Sequence, residues 1–150
     1  MKKTVFAFLL LIMAFKGFAQ KSNPVSWIFN AKKLGANKYE VRITATLAKS
    51  WHIYSQNTPY GGPIPTTFIF SPNALVTNNT KPKEVGKLLK VKDKNIGVDV
   101  LYYSDKVDFV QIVTVKGNIK TNISGRVMYN ICDESICLPP TEVPFSIALK

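Results

Sequence analysis

Strict alternation of apolar and polar residues runs along residues 38–47, where Tyr, Val, Ile, Ala and Leu occupy every second position. Lys, Glu, Arg and Thr occupy the positions between them. A period of two residues is typical of a β-strand with one buried and one solvated face. The same alternation, with Val, Phe, Ile and Leu at every second position from 143, predicts a strand over residues 141–149.

Shorter apolar segments separated by Gly, Pro, Asn and Ser predict further strands. Residues 84–91 fit either an edge strand or a short helix, and no segment has a convincing helical period. The chain therefore has eight or nine short strands, and we predict an all-β, immunoglobulin-like β-sandwich. The remaining predicted strands are residues 27–29, 51–54, 66–70, 74–77, 98–103, 107–115 and 119–131.

Two irregularities are expected inside this pattern. The polar run Ser104-Asp105-Lys106 predicts a turn between the strands at residues 98–103 and 107–115. Gly125 lies within the strand that precedes the cysteines, where a glycine predicts a β-bulge.

The N-terminus has the features of a secretory signal peptide. Lys2 and Lys3 precede an apolar run of eleven residues, and Gly17 and Ala19 supply small residues before a cleavage site. The run is shorter than the roughly 20 residues that span a bilayer. We predict a signal peptide over residues 1–19, a single mature domain over residues 20–150, and no transmembrane segment after cleavage.

The net charge is strongly basic but dispersed. The formal charge of +11 falls by the three lysines at positions 2, 3 and 16 to +8 in the mature chain. Such a surface can meet nucleic acid, an anionic membrane or an acidic partner. Because the lysines are scattered and the chain is exported, we interpret them as solvated surface and expect no nucleic-acid partner.

The chain has only two cysteines, Cys132 and Cys137, with four residues between them. Strand-like segments flank this short loop, and Asp133, Glu134 and Ser135 favour a turn inside it. Two cysteines at the ends of such a loop approach closely enough for a disulfide. Export places them in an oxidising compartment, where a disulfide persists.

Three roles are open for this pair. As a structural bond, it closes a loop so short that it stabilises the fold by about 2 kcal/mol, and a domain of this size has a core without it. As a metal site, the two thiolates and His52 give three ligands, whereas zinc prefers four, so we expect no metal. As a redox-active pair, it belongs with the short, exposed disulfides that exchange readily.

The redox role is our main hypothesis, and a protein-binding β-sandwich with a structural disulfide is the alternative. The spacing differs from the C-x-x-C of a helix N-terminus. The acidic neighbours Asp133 and Glu134 raise rather than lower a thiol pKa. A partner must therefore supply the attacking thiolate or a positive environment. No motif for a bound cofactor or for another catalytic class is present, and we expect no cofactor.

Three motifs resemble a known family. They are W-H-I-Y at residues 51–54, G-G-P-I-P-T at residues 61–66, and Y-N-I-C-D-E-S-I-C-L-P-P-T-E-V-P-F at residues 129–145. Together they resemble the N-terminal domain of the thiol:disulfide interchange protein DsbD, over roughly residues 25–149. The cysteine loop running into its two prolines is the most specific part.

The resemblance implies a periplasmic immunoglobulin-like domain with thiol:disulfide interchange (protein-disulfide reductase) activity. Such a domain takes reducing equivalents from a membrane-bound thiol electron transporter. It passes them to periplasmic thioredoxin-like or disulfide isomerase proteins, including those of cytochrome c biogenesis. The family protein continues into a membrane domain and a thioredoxin-like domain, so this chain is expected either to meet such partners in trans or to have a different role.

The resemblance also implies roles for individual residues. Cys132 and Cys137 would be the exchanging pair, with Cys137 attacking and joining the acceptor and Cys132 resolving the mixed disulfide. Tyr54 falls where the family has an aromatic beside the active site, and His52 falls where the family can place a tyrosine. Both residues are equally compatible with ordinary strand packing, as is Tyr129, a further candidate neighbour of the cysteine loop.

The sequence departs from the family pattern in two places. Well-known members have five residues between the cysteines, whereas this chain has four. The family shields its disulfide with an aromatic on a cap loop, and the corresponding residues 94–97 contain none. We expect Ile96 or another loop to provide any such shielding.

Overall fold

The structure is a computed structural model that describes residues 23–77, 80–94, 97–117 and 119–150. The predicted signal peptide lies outside these residues. Every regular element in the described ranges is a strand, and none of these ranges contains a helix that could cross a membrane. The strands are β1 (Val25–Lys33), β2 (Lys38–Leu47), β3 (His52–Tyr54), β4 (Thr67–Phe70), β5 (Val76–Thr77), β6 (Lys83–Lys92), β7 (Asp99–Val115), β8 (Thr121–Tyr129), β9 (Ile131–Cys132) and β10 (Thr141–Leu149).

The strands form two antiparallel sheets. The larger has the order β1-β2-β7-β3-β9, with β5 and β6 paired to the other edge of β7, and the smaller has the order β10-β8-β4. Apolar side chains of both sheets share one core, including Val41 and Phe109 from the larger sheet and Val127 and Leu149 from the smaller. This confirms the predicted all-β, immunoglobulin-like β-sandwich.

The alternation in β2 explains how the larger sheet is oriented. Val41, Ile43 and Ala45 are almost fully buried in the core, while Glu40 and Arg42 lie on the opposite face and form an ion pair. Burying each large aliphatic side chain stabilises the fold by about 1.5–3 kcal/mol. The period of two therefore fixes which face of the strand meets the smaller sheet.

The turn expected at Ser104-Asp105-Lys106 is wrong, because β7 continues through these residues without a break. Gly86 of β6 pairs with Val107, and Leu88 pairs with Tyr103, so three residues of β7 face one residue of β6. Asp105 has a φ of 66°, which lies in the left-handed region that Asp tolerates better than most residues. The polar run therefore marks a β-bulge inside a long strand.

The bulge expected at Gly125 is also wrong. Gly125 pairs in regular register with Phe145 on one side and Phe70 on the other. A Cβ at this position would collide with the carbonyl oxygen of Ile69 and lie 3.0 Å from the ring of Phe145. Glycine is needed here because neighbouring chain and side-chain atoms approach closely.

The ambiguous segment at residues 84–91 is an edge strand. It lies within β6, which pairs only with β7 among the described strands. Exposed lysines along β6 discourage pairing with another chain at this free edge.

The cysteine loop is positioned where the chain changes sheets. β8 ends at Tyr129 in the smaller sheet, and after Asn130 the chain enters β9, which pairs with β3 of the larger sheet. Cys132 therefore lies at the end of the larger sheet, directly beside His52.

Candidate functional site

Cys132 and Cys137 form a disulfide across a tight hairpin loop. They face each other as an antiparallel bridge, with their Cα atoms 4.0 Å apart. Backbone hydrogen bonds flank the bond on both sides, from Asp133 N to the oxygen of Ile136 and from Leu138 N to the oxygen of Ile131, each 2.9 Å. In an antiparallel strand pair, two facing residues that do not hydrogen-bond to each other have the closest Cα atoms. The backbone pairing therefore brings the two sulfurs together.

Asp133 closes the turn between the two cysteines. Its Oδ1 accepts hydrogen bonds from the backbone N–H groups of Ser135 at 2.7 Å and Ile136 at 2.8 Å. These backbone donors hold the pKa of Asp133 below its usual range. The carboxylate is therefore a structural part of the loop that also carries negative charge close to the disulfide.

The two sulfurs differ in access. Cys132 is 2% exposed and packs in a small cluster with Tyr54 and Val100. Cys137 is exposed, as is its neighbour Ile136 at 51%. Cys137 is therefore the more accessible of the two cysteines for an incoming thiolate.

Tyr54 lies against both sulfurs. Its hydroxyl donates a hydrogen bond to Sγ of Cys132 at 3.0 Å and lies 4.0 Å from Sγ of Cys137. Burial raises the pKa of Tyr54, and the nearby charge of Asp93 raises it further. The phenol therefore keeps its proton at neutral pH and remains a hydrogen-bond donor.

His52 contacts Tyr54 on the same face of the sheet. Its Nε2 is 3.3 Å from the hydroxyl of Tyr54, and its ring lies 4.8 Å from that of Tyr102, centroid to centroid. Burial lowers the pKa of His52, against a smaller opposing effect of the Asp133 charge. The imidazole is therefore neutral at neutral pH and supplies no positive charge to activate a thiol.

The side chains around the disulfide share one face of the larger sheet. Register places Cys132 opposite His52, and it places Tyr54 opposite Tyr102. The alternate residues of the same strands, Ile53, Tyr103 and Ile131, belong to the core between the sheets. The site therefore occupies the outer face of the sandwich, where a partner protein has access.

A pocket of about 210 Å³ opens on this face beside Tyr54. It is lined by His52, Tyr54, Pro63, Val91, Asp93, Val100 and Tyr102. The G-G-P-I-P-T segment thus contributes Pro63 to the surroundings of the site. Asp93 belongs to the hairpin between β6 and β7, where its backbone N–H donates to the oxygen of Val98 at 3.0 Å.

A hydrogen-bond network centred on Glu84 fixes the chain that follows Tyr54. The carboxylate accepts from Ser55 Oγ and from the backbone N–H of Gln56, each at 2.7 Å, and from the hydroxyl of Tyr103 at 3.0 Å. Thr66 Oγ1 donates to the carbonyl oxygen of Tyr54 at 2.6 Å. These contacts hold Tyr54 in place against the disulfide.

Three of the four predicted neighbours can be placed relative to the cysteines. Tyr54 and His52 lie beside the disulfide, whereas Tyr129 does not. Tyr129 is 1% exposed in the core between the sheets, with its ring 5.1 Å from that of Trp27. The change of sheet after β8 turns its side chain away from the loop. Ile96 lies outside the described residues.

Tyr102 and Asn130 are among the neighbours of the site that were not predicted. Tyr102 lies beside His52 because of strand register, which the sequence does not reveal. Asn130 donates a hydrogen bond from Nδ2 to the carbonyl oxygen of Leu138 and so closes the base of the cysteine loop. Its place two residues before Cys132 was the available sequence clue. The described part of the chain contains no group of three or more His, Cys, Asp or Glu side chains arranged to hold a metal ion.

Comparison with known proteins identifies the family. The family model for the N-terminal part of the thiol:disulfide interchange protein DsbD matches residues 22–148. The chain belongs to this family. The match covers most of the sequence, including the cysteine segment that carried the resemblance.

Solved structures of the DsbD N-terminal family have the same fold. The reduced DsbD N-terminal domain of Neisseria meningitidis is 17% identical, with a TM-score of 0.50, over 81% of this chain and 84% of that one. A structure of the complex between the DsbD N-terminal and PilB N-terminal domains of the same organism gives 13% identity and a TM-score of 0.55, over 87% of each chain. No curated protein sequence matches the chain significantly.

Proposed function

We propose that this protein exchanges its Cys132–Cys137 disulfide with the thiols of partner proteins and so carries reducing equivalents between them. The observation that carries this proposal is the unequal exposure of the two cysteines, with Cys132 at 2% exposure and Cys137 exposed. Membership of the DsbD N-terminal family supports the same chemistry. A purely structural bond needs neither an accessible sulfur nor a hydrogen-bond donor at the other one.

In the loading step, a thiolate of a reduced donor attacks Sγ of Cys137. The bond between Cys132 and Cys137 breaks, and Cys132 leaves as a thiolate while a mixed disulfide forms between Cys137 and the donor. The second thiolate of the donor then attacks the donor sulfur of this bond and releases Cys137. The donor is oxidised to a disulfide, and this domain gains two electrons and takes up two protons as a dithiol.

The delivery step reverses this order with a different protein. The Cys137 thiolate attacks the disulfide of an oxidised acceptor and forms a mixed disulfide, releasing one acceptor thiolate. Cys132 then attacks Sγ of Cys137, which restores the intramolecular disulfide and releases the acceptor as a dithiol. Cys137 is thus the attacking residue and Cys132 the resolving residue.

Tyr54 assists the breaking of the bond in the loading step. Its hydroxyl is 3.0 Å from the sulfur that leaves as a thiolate. A hydrogen bond to an ionised group is stronger than one to a neutral group, so this contact favours the state in which the S–S bond is broken. Because His52 is neutral, the attacking thiolate has to come from the partner already activated.

We place this exchange in the periplasm, carried out by a mature domain at residues 20–150 after removal of residues 1–19. The proposed donor is a membrane-bound thiol electron transporter, and the proposed acceptors are thioredoxin-like or disulfide isomerase proteins, including those of cytochrome c biogenesis. The predicted signal peptide and the family support this route. A DsbD N-terminal domain that binds another protein domain, PilB, is consistent with protein acceptors.

Single-cysteine variants test which sulfur reacts. Each of Cys132→Ser and Cys137→Ser leaves one thiol, and oxidised glutathione serves as a probe that forms a mixed disulfide with it. We expect Cys137 in the Cys132→Ser variant to react about tenfold faster or more, because buried thiols are inert. Mass spectrometry follows the adduct, and thermal unfolding checks that both variants are folded. Equal rates, or a faster reaction at Cys132, would contradict the assigned roles.

A structural disulfide in a protein-binding module is the second candidate. The observation that favours it is the neutral His52, which leaves the described surroundings of the cysteines without an activating imidazolium. On this account, replacing both cysteines with serine costs about 2 kcal/mol of stability. The double variant would still bind its partner, whereas the exchange proposal requires that it transfers no electrons.

A further inference from the structure

The pocket beside the disulfide has a composition that the exchange chemistry alone does not require. Pro63, Val91 and Val100 give it apolar walls, and the rings of Tyr54 and Tyr102 add aromatic surface. Asp93 belongs to the same lining, and its charge acts on Tyr54. An apolar and aromatic pocket with one carboxylate suits a long side chain that ends in a positive charge.

Two carboxylates act on residues that line the pocket, although the chain as a whole is basic. The charge of Asp93 acts on Tyr54, and the charge of Asp133 acts on His52. The neutral His52 does not offset them. Lys90 and Lys92 flank Val91 in β6, so strand alternation places their side chains on the face of the sheet opposite to the pocket.

We propose that this pocket is a subsite for a lysine or arginine side chain of the thiol protein that exchanges with Cys137. The inference rests on the proposed function and names a recognition feature of the partner. The aliphatic part of the side chain would pack against Val91, Val100 and Pro63. The cationic end would contact the aromatic rings and lie near the Asp93 carboxylate.

Such a cation would also assist the reaction. The cysteines of this domain have no imidazolium beside them, so the partner's thiol has to be ionised before it attacks. A positive side chain close to a thiol lowers its pKa and increases the thiolate fraction. One residue of the partner would thus both dock next to the disulfide and activate the attacking sulfur.

Synthetic thiol peptides test the subsite. The peptides have the sequence acetyl-X-Gly-Cys-Gly-X-amide, where X is arginine, its neutral isostere citrulline, or glutamate. The rate at which each peptide opens the disulfide of the full exported protein is measured at low salt and divided by the thiolate concentration, so that differences in peptide thiol pKa are removed. We expect the arginine peptide to react about two- to fivefold faster than the citrulline peptide and the glutamate peptide to be slowest.

Two variants show whether the preference is local. Asp93→Asn should bring the ratio of arginine to citrulline rates close to one. Asp99→Asn is the matched control, because it removes the same charge from the other face of the sheet, where Asp99 pairs with Lys90 at 2.9 Å. This control should keep the wild-type ratio.

The outcomes separate this inference from the exchange proposal. If every peptide opens the disulfide but arginine has no advantage, or the advantage survives Asp93→Asn, the cationic subsite is refuted and the exchange function stands. A faster reaction of the glutamate peptide would refute the subsite as well. If no peptide opens the disulfide of the folded protein, the exchange function fails, and the subsite fails with it.

Discussion

The hydroxyl of Tyr54 lies 3.0 Å from Sγ of Cys132, whereas it lies 4.0 Å from Sγ of Cys137. The nearer sulfur belongs to the buried cysteine, which in the proposed exchange leaves as a thiolate when a partner attacks the exposed one. The hydrogen bond therefore acts on the sulfur that gains negative charge. The pairing of β3 with β9 places Tyr54 near Cys132, so strand register gives the two sulfurs different hydrogen-bond surroundings.

Replacing Tyr54 with phenylalanine removes this donor and keeps the ring. We expect opening of the disulfide by dithiothreitol to slow about fivefold, since the lost hydrogen bond to a developing thiolate is worth about 1 kcal/mol or more. Stopped-flow measurement of reduction under excess dithiothreitol gives the rate. Tyr39→Phe is the control, because Tyr39 of β2 packs in the core beneath Lys33 and belongs to none of the contacts that position Tyr54. An unchanged rate in the Tyr54 variant would remove Tyr54 from the mechanism.

His52 makes the stability of the domain depend on pH. Burial lowers its pKa below the value of 6.5 that applies in the unfolded chain. The unfolded state therefore binds more protons, and the free energy of unfolding falls as the pH drops below about 6.5. Urea unfolding at pH 7.5 and pH 5.5 should show this loss for the native protein and a smaller loss for His52→Gln. An identical pH dependence in both proteins would show that His52 does not titrate differently on folding.

Asp133 sets how closely the two reduced thiols are held. Asp133→Ala removes the acceptor for the N–H groups of Ser135 and Ile136, so the open loop samples wider separations and re-forms the disulfide less readily. We expect the reduction potential to rise by about 15 mV, which is roughly threefold in the equilibrium constant. Asp133→Asn keeps an acceptor oxygen and should stay near the native value. An unchanged reduction potential in Asp133→Ala would show that the turn does not control how readily the disulfide re-forms.

Gly125 tests the packing of the smaller sheet. A Cβ at this position collides with the carbonyl oxygen of Ile69 and crowds Phe145, so Gly125→Ala should destabilise the domain by about 1–3 kcal/mol. Urea unfolding measures this loss. Gly35→Ala is the control, because a Cβ there meets no atom within 4 Å. Equal stability of the two variants would contradict the close approach at Gly125.

Alternation along the chain was sufficient to predict the sandwich, because a period of two directly reports which residues face the core. Local chemistry was less reliable where one signal has two structural meanings. A polar triplet such as Ser104-Asp105-Lys106 favours a turn and a bulge alike, and only the pairing of β7 with strands on both edges decides between them. Gly125 likewise marks a close contact with residues distant in sequence.

The site was partly predictable for a similar reason. Cys132 and Cys137 are only five positions apart in the sequence, so the short loop between them was enough to predict their disulfide. The family resemblance pointed to Tyr54 and His52. Tyr102 comes to the site only through strand register, which no local pattern encodes. Tyr129 was open as either a neighbour of the loop or an ordinary strand aromatic, and the change of sheet at Asn130 buries it in the core.

The reduction potential of Cys132–Cys137 tests the central claim most directly. The folded protein is equilibrated against a series of glutathione or dithiothreitol ratios, and free thiols are labelled and counted. We predict a potential well above about −300 mV, in the range of exchanging disulfides, with reduction that leaves the domain folded. A potential below that value, or a bond that is reduced only when the domain unfolds, would contradict the account and identify the disulfide as structural.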